Sequence, residues 1–163
     1  ADSFEEIGRL GPFRVIQALG QGGMGTVFLA HDPGLDRKLA IKVMLPEDAN
    51  PDGFVHGGAI MKLADTTAGV CASRYARCRV ATVAVQNMTF ISPAQIGDVI
   101  TVHARLVRVG RTSMTIDIEV HAEGRMNENV RQTSTGRFIF VAMDREGHPT
   151  PVPPLLIPPA DGA

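Results

Sequence analysis

The sequence predicts an α+β domain in which a curved antiparallel sheet wraps one long helix. Apolar residues recur at helical spacing through Phe54 to Ala72, FVHGGAIMKLADTTAGVCA, at Ile60, Leu63, Ala64, Ala68 and Cys71. This is the pattern of a helix with one face on a core. Ile116, Ile118 and Val120 alternate with Asp117, Glu119 and His121, a period of two that puts one sheet face inside and the other in water. The order of segments, one strand, one helix and four consecutive strands, folds an antiparallel sheet about the helix.

The chain has 163 residues, 44% of them hydrophobic, enough for one substantial core and few for two full domains. A formal net charge of -1 offers no basic field, so no nucleic-acid partner is expected. No apolar run approaches the roughly 18 residues of a membrane span, and ADSFEEIGRL lacks the basic start and apolar centre of a signal peptide. A cytoplasmic protein with no membrane partner is therefore expected. Cys71 and Cys78 lie outside any CxxC or Cys/His cluster and read as reduced thiols. The five histidines show no ligand spacing, so no metal is expected.

In chain order, FRVIQAL (Phe13 to Leu19) and TVFLA (Thr26 to Ala30) read as strands flanking Gly20-Gln-Gly22-Gly-Met-Gly25, and Leu39-Ala-Ile-Lys42 follows a turn at Asp32 to Asp36. Over about residues 7–45 these strings resemble the N-lobe of a bacterial-type Ser/Thr protein kinase, with its glycine-rich phosphate loop and its lysine strand. The chain has no HRD loop, no DFG aspartate, and no glutamate on the next helix to pair with Lys42. Phosphoryl transfer is not expected. Residues 1–38 are expected to form a β-rich extension that packs on the main domain or stays mobile, and Lys42 to point outward from its strand.

Leu39 to Leu45 alternates as a strand and can end that extension and also begin the next domain, so that one strand serves both patterns. Pro46 to Gly53 is a run of turn formers leading into the helix. Within the helix Asp65 lies off the apolar stripe, among Met61, Gly69 and Ala72, too deep to cap the N-terminus. Its small neighbours leave room beside the carboxylate, and a solvated aspartate is the alternative. Strands follow at Val80 to Ile91, Val99 to Val109, Ser113 to Ala122 and Val130 to Met143, separated by turns at Pro93 to Asp98, Gly110 to Thr112 and Gly124 to Asn129. The proline-rich His148 to Pro159 is expected to run over the surface without joining the sheet.

Several strings in this order resemble the hot-dog fold acyl-CoA thioesterases of the YciA-like and cytosolic acyl-CoA hydrolase group: Leu45-Pro-Glu-Asp-Ala-Asn50-Pro, Val55-His-Gly-Gly58, Leu63-Ala-Asp65, Met88-Thr-Phe90, Gly97-Asp98, Gly110-Arg-Thr-Ser113 and Phe140-Val-Ala-Met-Asp144. The resemblance divides the chain into a kinase-like extension at 1–38, a hot-dog domain at 39–158 and a tail at 159–163. It implies a homodimer or a trimer of dimers with active sites at the dimer interface, and acyl-CoA as substrate with no cofactor. It places Asp65 at the family's catalytic carboxylate, where it would act as general base toward water or attack the thioester directly. Gly57 and Gly58, at the positive end of the helix, would hold the developing oxyanion, although a glycine pair before a helix is also an ordinary turn.

By the same resemblance Asn50 lies near the active site, and Arg111, Thr112 and Ser113 lie near coenzyme A. His56 stands where the family often has an aromatic residue and is expected to bind substrate through packing or hydrogen bonding. Phe54 replaces the family's usual small or polar residue. An acyl-CoA thioesterase is the function implied. The alternatives are a non-catalytic acyl-CoA-binding module and a nucleotide-responsive protein that uses the glycine-rich loop.

Overall fold

The computed structural model describes residues 6–20, 25–124 and 129–155. Strands β1 (Gly8–Leu10), β2 (Phe13–Gly20), β3 (Val27–Asp32) and β4 (Arg37–Val43) form an antiparallel meander. A one-turn 3-10 helix at Pro46–Asp48 leads to α1 (Gly57–Ala76), and β5 (Arg79–Phe90), β6 (Val99–Val109), β7 (Ser113–Glu123) and β8 (Arg131–Met143) follow. All eight strands form one sheet in the order β1-β2-β3-β4-β6-β7-β8-β5.

The expected helix-in-sheet plan is present, with boundaries displaced by local chemistry. Isolated bridges from Ala49 to Val55 and from Phe54 to Gln95 hold the chain extended just before α1. The helix therefore starts at Gly57, and it ends where Arg77 turns left-handed at φ 54°. Its buried stripe, Ile60, Leu63, Ala64, Thr67, Ala68 and Ala72, packs on the inner face of β6, β7 and β8. Ile116, Ile118, Val120, Phe138 and Phe140 are buried there. This core fixes the register of the sheet, because a one-residue slip would turn that row outward.

The N-terminal strands are part of this sheet. β3 pairs with β4 over five residues from Phe28↔Ile41 to Asp32↔Arg37, while the other edge of β4 pairs with β6. The β1–β2 hairpin brings Leu10 and Phe13 onto a second, smaller cluster of Ala30, Leu39 and Ile41. Leu39 and Ile41 share the sheet face turned away from the helix, so that face is not uniformly wet. Residues 21–24, the middle of the glycine-rich string, lie outside the described residues, as do residues 125–128 and the tail from 156 onward.

The outward lysine expected at position 42 is corrected. Lys42 lies on the inner face of β4, opposite Ile100, and is buried against Asp48, with Nζ 2.8 and 2.9 Å from its two carboxylate oxygens. Of the proline-rich segment, the described residues 148–155 lie mainly at the surface, but Pro149 forms one bridge with Met143 and Val152 is buried. Among the described residues no helix is long and apolar enough to cross a membrane.

Candidate active site

The start of α1 is uncapped. His56 precedes the helix and its side chain makes no cap. The N–H groups of Ala59 and Ile60 both return to the His56 carbonyl, at 2.9 and 3.3 Å, while those of Gly57 and Gly58 find no acceptor among the described residues. With no acidic residue in the first turn, these donors stand open at the positive end of the helix dipole.

A pocket of about 340 Å³ lies beside them, lined in part by Asn50, Phe54, Gly57, Phe90, Pro93 and Ser134. A glycine at position 57 lets the backbone approach Phe90, since a Cβ there would stand 3.3 Å from the ring. Asn50 serves as both turn residue and lining. Its Oδ1 accepts the N–H groups of Asp52 and Phe54 at 3.0 and 3.1 Å, which leaves its amide nitrogen without a partner among the described residues. Phe54 is partly exposed at the mouth.

Asp65 is half-buried and faces the β5 side of the sheet. The Thr82 hydroxyl, on β5, donates to its Oδ1 at 2.7 Å, and the second oxygen has no partner among the described residues. One turn further on, Gly69 lies against Phe140, the residue in register with Thr82. The missing side chain at position 69 brings this part of the helix close to the outer strands. Thr82 was not singled out in the sequence, where it is one β-former among several in VATVAV. Cys71, two turns along the helix, is no competing nucleophile, because burial pushes its thiol pKa up. No group of three or more His, Cys, Asp or Glu is placed to hold a metal ion among the described residues.

One chain does not bring all the expected site residues together. Asp65 is eight residues beyond Gly57, about 12 Å along a helix axis, too far for one reacting carbonyl to touch both. Asn50, His56, Gly57 and Gly58 cluster at the helix start, level with Phe90 and Ser134, which are in register. Arg111, Thr112 and Ser113 sit at the opposite end, where Ser113 is in register with Val141. Their turn is closed by the Gly110 N–H on the Ser113 carbonyl at 2.8 Å, and the Arg111 and Thr112 carbonyls accept N–H groups from Val152 and Ala142 at 3.0 and 2.9 Å.

A single helix held against an antiparallel sheet in the order β4-β6-β7-β8-β5 is the hot-dog arrangement. The sequence pattern of the thioesterase superfamily matches residues 52–128. The chain is 43% identical over 117 residues to an uncharacterized acyl-CoA thioester hydrolase of Zymomonas mobilis, covering 71% of this chain and 78% of that protein. It is 38% identical over 112 residues to the acyl-CoA thioester hydrolase YciA of Salmonella typhimurium, covering 67% and 84%. Among solved structures, a hexameric thioesterase from Yersinia pestis is 34% identical with a TM-score of 0.66, covering 69% of this chain and 92% of that one. The chain belongs to the thioesterase superfamily.

Proposed function

We infer that the protein hydrolyses acyl-CoA thioesters to a free acid and coenzyme A, with Asp65 as the reacting carboxylate. The observation that carries this reading is the Asp65–Thr82 contact. One carboxylate oxygen is held by a hydroxyl at 2.7 Å and the other has no partner among the described residues, in a chain whose relatives are named acyl-CoA thioester hydrolases.

As general base, Asp65 takes a proton from water as the water oxygen adds to the thioester carbon. The carbonyl oxygen becomes an oxyanion held by the open N–H groups at the helix start, with the Asn50 amide beside them. The C–S bond then breaks, and the leaving thiolate recovers the proton from Asp65. A second route is direct attack by Asp65, with release of the thiolate and hydrolysis of the resulting anhydride. Single-turnover reaction in ¹⁸O-water separates the two, because only the anhydride route can place label in the Asp65 carboxylate. Neither route requires a metal or prosthetic group.

The 12 Å separation has a natural remedy in a second copy of the chain. β5 is an edge strand with Val83, Val85 and Phe90 exposed, followed by exposed Ile91. Antiparallel pairing of two β5 strands about their middle sets the Thr82 and Asp65 of one copy toward Phe90 and the helix start of the other. It also carries the Arg111–Ser113 turn to the end of the second copy's pocket, where its guanidinium and hydroxyls would meet the coenzyme A phosphates. His56 is exposed at the same end, which supports a role in contacting the substrate. The assembly proposed is a homodimer or a trimer of such dimers, in keeping with the hexameric thioesterase it resembles.

The kinase-like reading of residues 7–45 rests on its strings alone. Its lysine is engaged by Asp48 and buried, which leaves it unavailable to a nucleotide phosphate. The test of the proposed function is thiol release from short- to long-chain acyl-CoA substrates by the wild type and by Asp65→Asn. Loss of a general base lowers turnover by about 10²–10⁴-fold, and the variant is expected to melt near the wild-type temperature. Wild-type protein that binds acyl-CoA and releases no thiol would instead identify a binding module.

A further inference from the structure

We propose that the buried Lys42–Asp48 ion pair is a positioning element for the reaction, setting the helix start that holds the oxyanion. This rests on the thioesterase reading of the site. The pair is nearly sealed from water, with side-chain exposures of 4% and 3%. A lysine and an aspartate taken out of water are costly, and such a pair contributes little net stability compared with apolar residues of the same volume. Its geometry points to a different role.

Asp48 is a junction. Its carboxylate binds Lys42 through both oxygens and also accepts the Leu45 N–H at 2.9 Å. Its backbone N–H donates to the Leu45 carbonyl at 2.9 Å, and its own carbonyl accepts the His56 N–H at 2.8 Å. His56 is the residue from which α1 departs, so the chain of contacts runs from β4, through Lys42 and Asp48, to the helix start. The loop between these points is closed by the Ala49–Val55 bridge and the Asn50 turn. The ion pair thus fixes both ends of the segment carrying Asn50 and the open N–H groups of Gly57 and Gly58.

The N-terminal strands take part. Gly25, at φ 75°, packs so closely that a Cβ there would meet Leu45 Cδ1 at 2.9 Å and Lys42 Cε at 3.7 Å. This close approach covers the lysine stem and keeps water from the pair, which strengthens the attraction between the charges. The meander that extends the sheet is therefore in contact with the element that sets the catalytic loop.

The experiment compares wild type with the double variant Lys42→Met/Asp48→Leu, which replaces the pair by apolar residues, and with Asp48→Asn. Thermal unfolding, thiol-release kinetics and amide exchange at His56 are measured on each. The expected result is a double variant that melts near the wild-type temperature, with kcat reduced about tenfold or more, KM within about twofold, and faster His56 exchange. Asp48→Asn leaves Lys42 buried without its counter-charge and is expected to melt lower; if the double variant does not fold, kcat, KM and His56 exchange of Asp48→Asn are read at a temperature where it is folded. Wild-type kcat together with wild-type His56 exchange in a folded variant overturns the proposal. A wild type that releases no thiol would sink the thioesterase reading instead, and unchanged His56 exchange in the variants would still refute the positioning role.

Discussion

The Thr82 hydroxyl has one evident task, to hold Asp65. The bond is short at 2.7 Å but lies at an exposed position, so its worth is that of an ordinary hydrogen bond, about 0.5–1.5 kcal/mol. If that energy is realised in the transition state, Thr82→Val lowers kcat by roughly twofold to thirteenfold, with little change in melting temperature. Thr82→Ser, which keeps the hydroxyl, restores the rate. Equal rates for Val and Ser at this position would show that the contact does not orient the carboxylate. Asp65 could be singled out in the sequence because an acid among small residues is conspicuous on a helix. Thr82 could not, because its meaning depends on a helix 17 residues away. The burial of Lys42 is not visible in the sequence for a related reason. Its partner is not on the following helix but in the 3-10 turn six residues on.

At the scale of elements, β6 and β7 carry two histidines on the outer sheet face, His103 and His121, with ring centroids 5.7 Å apart. Each has a buried Nδ1 without a hydrogen-bond partner among the described residues. His103 is only 9% exposed, and burial first, then the charges of Arg37 and His121, lowers its pKa to about 4, with Asp32 opposing. Burial also lowers that of His121, against the pull of Glu119. Between the ordinary histidine value of about 6.5 and pH 4 the unfolded chain binds more protons at these sites than the folded one. Their contribution to stability therefore falls as pH drops through that window. Melting temperatures from pH 7 to pH 4 are expected to decline less steeply in His103→Gln than in wild type, and parallel slopes would refute this. The alternation of β7 was legible, since Ile116, Ile118 and Val120 are all buried. The reading of the opposite face as wet was incomplete, because its cover at Leu39 and Ile41 comes from the distant β1–β2 hairpin, which local periodicity does not reveal.

For the whole molecule, what matters is where the sheet ends. The strings that carried the family resemblance lie on the helix, its entry loop, the turns between β5 and β7 and the ends of β5 and β8, and they placed the hot-dog plan correctly because each is a local feature. That Leu39 to Leu45 can serve the extension and the next domain at once was legible in its alternation, and β4 pairs with β3 on one edge and β6 on the other; the strand order beyond it, β3, β2 and β1, depends on pairings that local alternation does not reveal. The N-terminal strands occupy the β4 edge and leave β5 open at the far side. Val85 lies near the middle of β5 and is 40% exposed, as expected of a residue that a second copy would cover. A lysine there would set two like charges close together across the two-fold axis of a β5–β5 pair. Val85→Lys is therefore expected to sediment as a smaller species than wild type. Because Asp65 and the helix start of one chain are too far apart to share a carbonyl, the variant should lose thiol release even though each chain stays folded. Full activity in a variant that sediments as a monomer would show that one chain suffices, and the composite site would have to be abandoned.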